Sequence, residues 1–222
     1  MTILTLMPPL TRSRQSRAGR RRPAGLVIAL LSLLCALALI VVPAATATTS
    51  RSGHHVRTRT AKACADASAS VGQTSIKLLR RAVVCLINQQ RTAHHLPPLR
   101  ASGLLDRSAQ RWTNSMVAGD VFTHGTNFAA RITAVGYVWQ DAGENIATGF
   151  QTPRSVVDAW MGSTGHCENI LNPTYRNVGT GVIAHVVSGW ATGAGTWTQD
   201  FALSMNQSPP SGNWGPAHGC PY

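Results

Sequence analysis

Cysteine and histidine are the side chains of this sequence best suited to chemistry, and their spacing narrows what that chemistry can be. Cys64, Cys85, Cys167 and Cys220 are spread widely along the chain, and Cys35 sits in an apolar run near the start. No two lie close enough in sequence to supply the paired ligands of a structural zinc site. In a chain bound for export, the even set of four that follows the apolar run reads as two disulfides. Four cysteines allow three connectivities, and spacing does not choose among them. The expected pairing is Cys64 with Cys85, stapling the N-terminal segment to the first helix, and Cys167 with Cys220, tying the Pro/Gly-rich end back. Histidine occurs in the adjacent pairs His54-His55 and His94-His95, and singly at positions that include His124, His166 and His185. Adjacent histidines more often face solvent than share a metal, and His185 falls inside an expected strand as a partnered residue. No His-Glu-x-x-His run is present to hold a metal from one helix. Ser163 precedes His166 by three residues, but without a Gly-x-Ser-x-Gly elbow it makes a poor nucleophile.

The elements that must position these groups are legible from periodicity. Ile76, Leu79, Val83, Leu86 and Ile87 recur at helical spacing and the pattern stops at Pro97-Pro98, which predicts a first helix. Leu105, Ala109, Trp112 and Met116 form a second stripe behind the cap Ser102, ending at Gly119. A short third helix runs from Phe128 to about Val135, capped by Thr126 or Asn127 and closed by Gly136. Thr152-Pro153 opens a fourth, with Val156, Val157, Trp160 and Met161 turned inward. The period then changes. Residues 178–187 are rich in β-branched side chains, and residues 196–203 alternate, so two strands joined as a hairpin through 188–195 are expected. Segments 143–147 and 169–173 read as loops. Four helices with strands interleaved late point to an α+β fold with helices packed on a small central sheet.

The N-terminus addresses location. Arg12, Arg14, Arg17, Arg20, Arg21 and Arg22 precede the apolar run 26–42, followed by Ala45 and Ala47 in the small-x-small pattern, so residues 1–47 read as a signal peptide. A retained anchor is the alternative reading of the same run. Cleavage would remove six arginines and no acid, lowering the formal charge from +12 to +6. Residues 48–63, with Arg51, Arg57, Arg59 and Lys62, are too poor in apolar side chains to order themselves and read as a flexible basic tail. Such a tail can make weak charge contacts with anionic surfaces. Beyond Ile76 the basic residues are scattered, which argues against nucleic acid as a partner. The rest, 64–222, suits one domain.

Several segments in one order resemble the CAP superfamily of cysteine-rich secretory, antigen-five and pathogenesis-related-one proteins, in its bacterial branch. They are Cys85-Leu86-Ile87-Asn88-Gln89-Gln90-Arg91, Phe122-Thr123-His124, Gly143-Glu144-Asn145-Ile146-Ala147, Trp160-Met161-Gly162-Ser163-Thr164-Gly165-His166, Asn169-Ile170-Leu171-Asn172-Pro173 and Trp197-Thr198-Gln199-Asp200-Phe201. The resemblance implies an α-β-α sandwich with a central cleft where two histidines and two acids can hold a divalent cation. His124 and Glu144 match the first His and the Gly-Glu-Asn-Ile glutamate. Animal and plant members carry Trp-x-x-Glu where this chain has Trp160-Met161-Gly162-Ser163, and Gly-His-Tyr-Thr-Gln where it has Gly195-Thr196-Trp197-Thr198-Gln199, so two ligands are missing. His166 is the bacterial substitute.

A His124, Glu144 and His166 trio is therefore expected to converge. Two neutral imidazoles and a carboxylate form a competent set for Zn2+ or another divalent cation, with a fourth position open for a water of lowered pKa. The competing reading has the three hydrogen-bonding one another and bracing loops. Asn145, Ser163, Asn169 and Gln199 are expected to support the cleft, Gln199 as a buried amide on the strand face of Trp197 and Phe201. The function expected is that of a secreted, extracellular or cell-wall-associated module that binds an extracellular ligand or cell-wall component without catalysis. The alternatives are a metal-assisted, peptidase-like hydrolase using the trio, and lipid or sterol binding as known among relatives in the superfamily.

Overall fold

The computed structural model describes residues 63–209 together with Ser211 and Cys220. The expected signal peptide and all but the last residue of the expected basic tail lie outside the described residues. Among the described residues, no helix is long and apolar enough to cross a membrane.

The first helix, α1 (Ile76–Ala93), buries Leu79, Ala82, Val83, Leu86 and Ile87, together with the charged Arg91. Arg91 survives burial because Nε donates to Pro97 O at 2.8 Å and Nη1 donates to Ile170 O and Asn172 O, both at 2.8 Å. Burial, and secondarily the charge of Arg176, still pulls its pKa down to about 10. This guanidinium pins the end of α1 to two later segments. The short strand β1 (Arg100–Ala101) follows, then α2 (Gly103–Ala118), capped by Ser102. Asn127, rather than Thr126, caps α3 (Phe128–Ala134). Strand β2 (Trp139–Thr148) precedes α4 (Pro153–Met161), where Thr152 and Ser155 form a capping box and Pro153 takes the first position. Helix α5 (Thr164–Ile170) and strands β3 (Asn177–Ile183) and β4 (Thr196–Ser204) complete the domain.

The strands form one sheet in the order β1-β3-β4-β2, with β1 parallel to β3 and the other pairs antiparallel. One face carries Val178, Val182, Trp197 and Phe201 into the main core, where Leu79, Val83, Ile87, Val157 and Trp160 of α1 and α4 meet them. The opposite face receives α2. It can do so because Gly179 and Gly181 project no side chain: a Cβ at Gly179 would lie 2.1 Å from Leu105 C, and one at Gly181 2.4 Å from Ala109 C. Helices on both faces give the α+β sandwich expected.

Four elements differ from the sequence expectation, the short strand β1 being one that it did not include. Residues 143–147 are not a loop but the middle of β2, paired from Gly143↔Phe201 to Ala147↔Trp197. Residues 164–170 form a fifth helix. The strand expected over 178–187 ends at Ile183, so His185 lies in an exposed bend rather than mid-strand. Both expected disulfides form. Cys64–Cys85 closes a loop of 21 residues and Cys167–Cys220 one of 53, worth about 3 and about 4 kcal/mol on the chain-entropy model.

Beyond its two-residue pairing with β1, strand β3 has outward backbone groups met by side chains, and on the outer strand β2 two carbonyls are met in the same way. On β3, Thr180 N–H donates to Asp106 Oδ1 (2.8 Å) and Val182 N–H to Gln110 Oε1 (3.1 Å). Gln110 Nε2 returns a bond to Val182 O (2.9 Å), and Arg80 Nε donates to Thr180 O (2.6 Å). On β2, Asn169 Nδ2 donates to Glu144 O (3.1 Å) and Trp160 Nε1 to Ile146 O (3.3 Å).

Candidate functional site

Glu144 lies on β2 and points to the α2 face of the sheet, with its side chain 1% exposed. A buried carboxylate needs partners on both oxygens. His124, in the loop after α2, supplies one: its Nδ1 lies 2.8 Å from Oε1 and must carry the proton, because a carboxylate only accepts. Arg131 on α3 supplies the other through Nη2 to Oε2, while its Nη1 donates to His124 O at 3.0 Å. The guanidinium is stacked 3.9 Å from the Trp112 ring centroid, and Trp112 Nε1 donates to Thr123 O (3.0 Å), so the His124 loop is tied down twice. Gly143 is required beside this group, since a Cβ there would stand 2.4 Å from Tyr175 Oη and 2.8 Å from Asn169 Oδ1.

Asp200 is paired with Glu144 across β2 and β4 and is itself buried. Burial, reinforced by the Glu144 charge, pushes its carboxyl up to about 8, so at neutral pH it is mostly protonated. Ser108 and Glu144 are its polar neighbours.

Asn145, one residue on from Glu144, points to the other sheet face. Its Nδ2 donates to His166 O (3.1 Å) and reaches Gln199 Oε1 at 3.5 Å, while Asn169 Nδ2 donates to Asn145 Oδ1 (2.9 Å). Asn145 is thus a buried strand residue and Asn169 a helical one, not the loop residues expected, and the two are bonded to each other and to the backbone of His166 and Glu144. Gln199 is fully buried, as its position beside Trp197 and Phe201 required. His166 sits in the first turn of α5 and shares a 2.8 Å hydrogen bond between Nδ1 and Ser163 Oγ. Burial, and then the charge of nearby His124, lowers its pKa and favours the neutral ring.

The expected trio is therefore only partly assembled. His124 and Glu144 are bonded, and His166 is near enough to feel His124, but its own bond goes to Ser163. Among the described residues, no three His, Cys, Asp or Glu side chains stand where they could hold one metal ion. The physical reason is alternation: Glu144 and Asn145 point to opposite faces of an edge strand, and the site wraps round that edge. Both Glu144 oxygens are already engaged by cationic or donor groups, so the trio does not fit a shared zinc ion. The Nε2 atoms of His124 and His166 have no partner among the described residues.

Beside His166 an apolar pocket of about 320 Å³ is lined by Phe122, Ile146, Phe150, Trp160 and Trp190, with Ser163 on its wall. Trp190, from the β3–β4 connection, is 59% exposed and lies 5.6 Å from the Phe122 ring centroid at a tilt of 51°. Sequence reading missed Arg131, Asp200 and Trp190 as site residues. Asp200 carried a signal, an acid within an aromatic-rich strand; Trp190, in a Gly-rich connection, carried none.

Residues 84–201, more than half of the chain, match the family described as Cysteine-rich secretory protein family, CAP. The chain belongs to the CAP family. A relative described as uncharacterised, YkwD of Bacillus subtilis (strain 168), is 37% identical over 133 residues, covering 58% of this chain and 48% of that protein. The chain spans about half the length of the curated relative it matches. Among solved structures, an extracellular protein containing an SCP domain from Bacillus anthracis str. Ames matches with a TM-score of 0.50 at 23% identity, over 60% of this chain and 45% of that one. An outer surface protein from Borrelia burgdorferi matches at 18% identity with a TM-score of 0.48, over 55% of this chain and 90% of that one. The Bacillus anthracis likeness is one of fold.

Proposed function

We propose that this CAP domain is exported and acts as a non-enzymatic binding module, taking an extracellular ligand or cell-wall component in the pocket between Trp190 and His166. The observation that carries this reading is the locked state of Glu144. A carboxylate held on one oxygen by His124 and on the other by Arg131 is a wall of the cleft rather than a general base or a metal ligand. Ser163, the side chain nearest to a nucleophile, bonds His166 within one helical turn, which is a local brace. By contrast, an exposed tryptophan paired with a phenylalanine over a pocket is the kind of rigid aromatic surface that binding sites use. The basic N-terminus with its apolar run, and the extracellular designation of the Bacillus anthracis neighbour, support export.

Co-sedimentation of the purified domain with insoluble cell-wall material tests the reading, with metal content and peptide hydrolysis measured on the same sample. Wild-type protein is expected to pellet, Trp190→Ala to pellet much less, and no cleavage to occur. Undiminished pelleting of Trp190→Ala would refute the pocket. Zinc-dependent cleavage lost in His124→Ala would establish the hydrolase reading instead.

A further inference from the structure

At the border of the sheet opposite β2, where the short β1 leaves most of β3 unpaired, α1, β1 and α2 line a groove of about 410 Å³. Its cations come from one face of α1: Lys77, Arg80 and Arg81 are at helical spacing with Val84 and Cys85, which share the lining. The floor is apolar, made by Val84, Ala101 and Cys85. Asp106 is the acid of the groove, and it is already engaged, accepting from Thr180 N–H and lying 3.9 Å from Arg80 Nη1. Arg80 is fixed by Thr180 O and Gln110 Oε1. Lys77 and Arg81 are exposed, and neither joins a salt bridge among the described residues; a further acid, Asp66, lines an adjoining hollow with Arg81 and Cys85. Like charges four residues apart on a helix are mildly destabilising, so these two form an uncompensated cationic rim above an apolar floor.

We propose that this groove is a second binding site, for a small soluble organic acid whose carboxylate or phosphate is carried on an apolar body. The head is set by charge, because Lys77 and Arg81 are left over once Arg80 and Asp106 have engaged one another. The body is set by the floor, since an inorganic anion would leave Val84 and Ala101 in water and a neutral hydrocarbon would leave the rim unpaired. The preceding segment 48–63 carries Arg51, Arg57, Arg59 and Lys62, so its charge has the wrong sign to neutralise the rim. The site is independent of the His124 cleft, which wraps the other border of the sheet.

Octanoate below its micelle concentration, octanol and acetate serve as probes, followed by amide chemical shifts of the full domain. Octanoate is expected to shift Lys77, Arg81, Val84 and Ala101 and to bind at least about tenfold tighter than octanol or acetate, the gain of one charge-assisted contact added to apolar burial. Lys77→Gln with Arg81→Gln, both at exposed positions, should cut octanoate affinity about tenfold with an unchanged thermal midpoint. Trp190→Ala, the exposed-site variant that tests the cleft, should bind octanoate as the wild type does, so failure of the cleft reading and failure of this one are separable. Octanoate shifts centred elsewhere, equal binding of octanol, or an unaffected double variant would overturn the proposal. So would pelleting with phosphatidylglycerol vesicles in the absence of octanoate binding, because the cations would then read a membrane surface.

Discussion

The two borders of the sheet solve the same problem with opposite chemistry. At β3, Asp106, Gln110 and Arg80 direct their polar atoms mainly at backbone groups, and the charges that remain face solvent. At β2, two backbone carbonyls are met by neutral donors, while Glu144, His124 and Arg131 are turned on one another beside the buried Asp200. The β3 border is thus a passive cover, and the β2 border is a charge cluster whose members depend on each other. Stability at the second should respond to loss of one partner and to pH far more than at the first.

The sharpest way to break this comparison is Arg131→Ala. It leaves the Glu144 carboxylate buried with one partner and should cost about 3 to 5 kcal/mol in denaturant unfolding, as expected for a buried ion pair stripped of one member. A loss below about 1 kcal/mol would place the pair in the surface class.

Next in size is the pH response. Asp200 has a folded pKa raised to about 8, well above its unfolded value. Its contribution to stability is therefore fully present below about pH 4 and is lost as pH rises through the folded value. Between pH 5 and 7 the slope attributable to Asp200 should approach, and cannot exceed, about 1.4 kcal/mol per pH unit. Asp200→Asn should flatten it. The lowered pKa of His166 acts in the opposite direction, with its contribution lost as pH falls, so the difference between wild type and Asp200→Asn is the informative quantity. Equal slopes would show that Asp200 is ionised in the fold.

At the β3 border, Gln110→Ala removes two bonds to Val182 and should cost about 1 to 3 kcal/mol, with no change in pH slope. Smallest of all, His185→Ala, in an exposed bend, should stay within about 0.5 kcal/mol of wild type.

The contrast also explains what could be read from the sequence. Helices α1, α2 and α4 announced themselves because their apolar stripes and caps serve packing alone. Strand β2 was hidden because Trp-Gln-Asp-Ala-Gly-Glu-Asn-Ile-Ala-Thr carries residues chosen for the site: Gly143 to admit Tyr175 and Asn169, Glu144 and Asn145 to reach opposite faces. Its extended form is imposed by pairing with β4, a tertiary effect that local propensity does not report. Helix α5 was obscured in the same way, being a single short stretch with Gly165 and Asn169 inside it. The His124–Glu144 contact could be anticipated from the family resemblance, but Arg131, which turns that contact into a locked triad, looked like one more surface arginine on a short helix.

The side chains along β2 and β3 have one more consequence. A strand border with unclaimed N–H and C=O groups is a template on which a neighbouring chain can add its own strand, and repetition of that step builds fibres. Here Asp106, Gln110 and Arg80 on one side, and Asn169 and Trp160 on the other, already occupy groups that such a neighbour would need. The domain is therefore expected to remain free of edge-to-edge aggregation when crowded, and copies that do associate should meet through helices and loops rather than by extending the sheet.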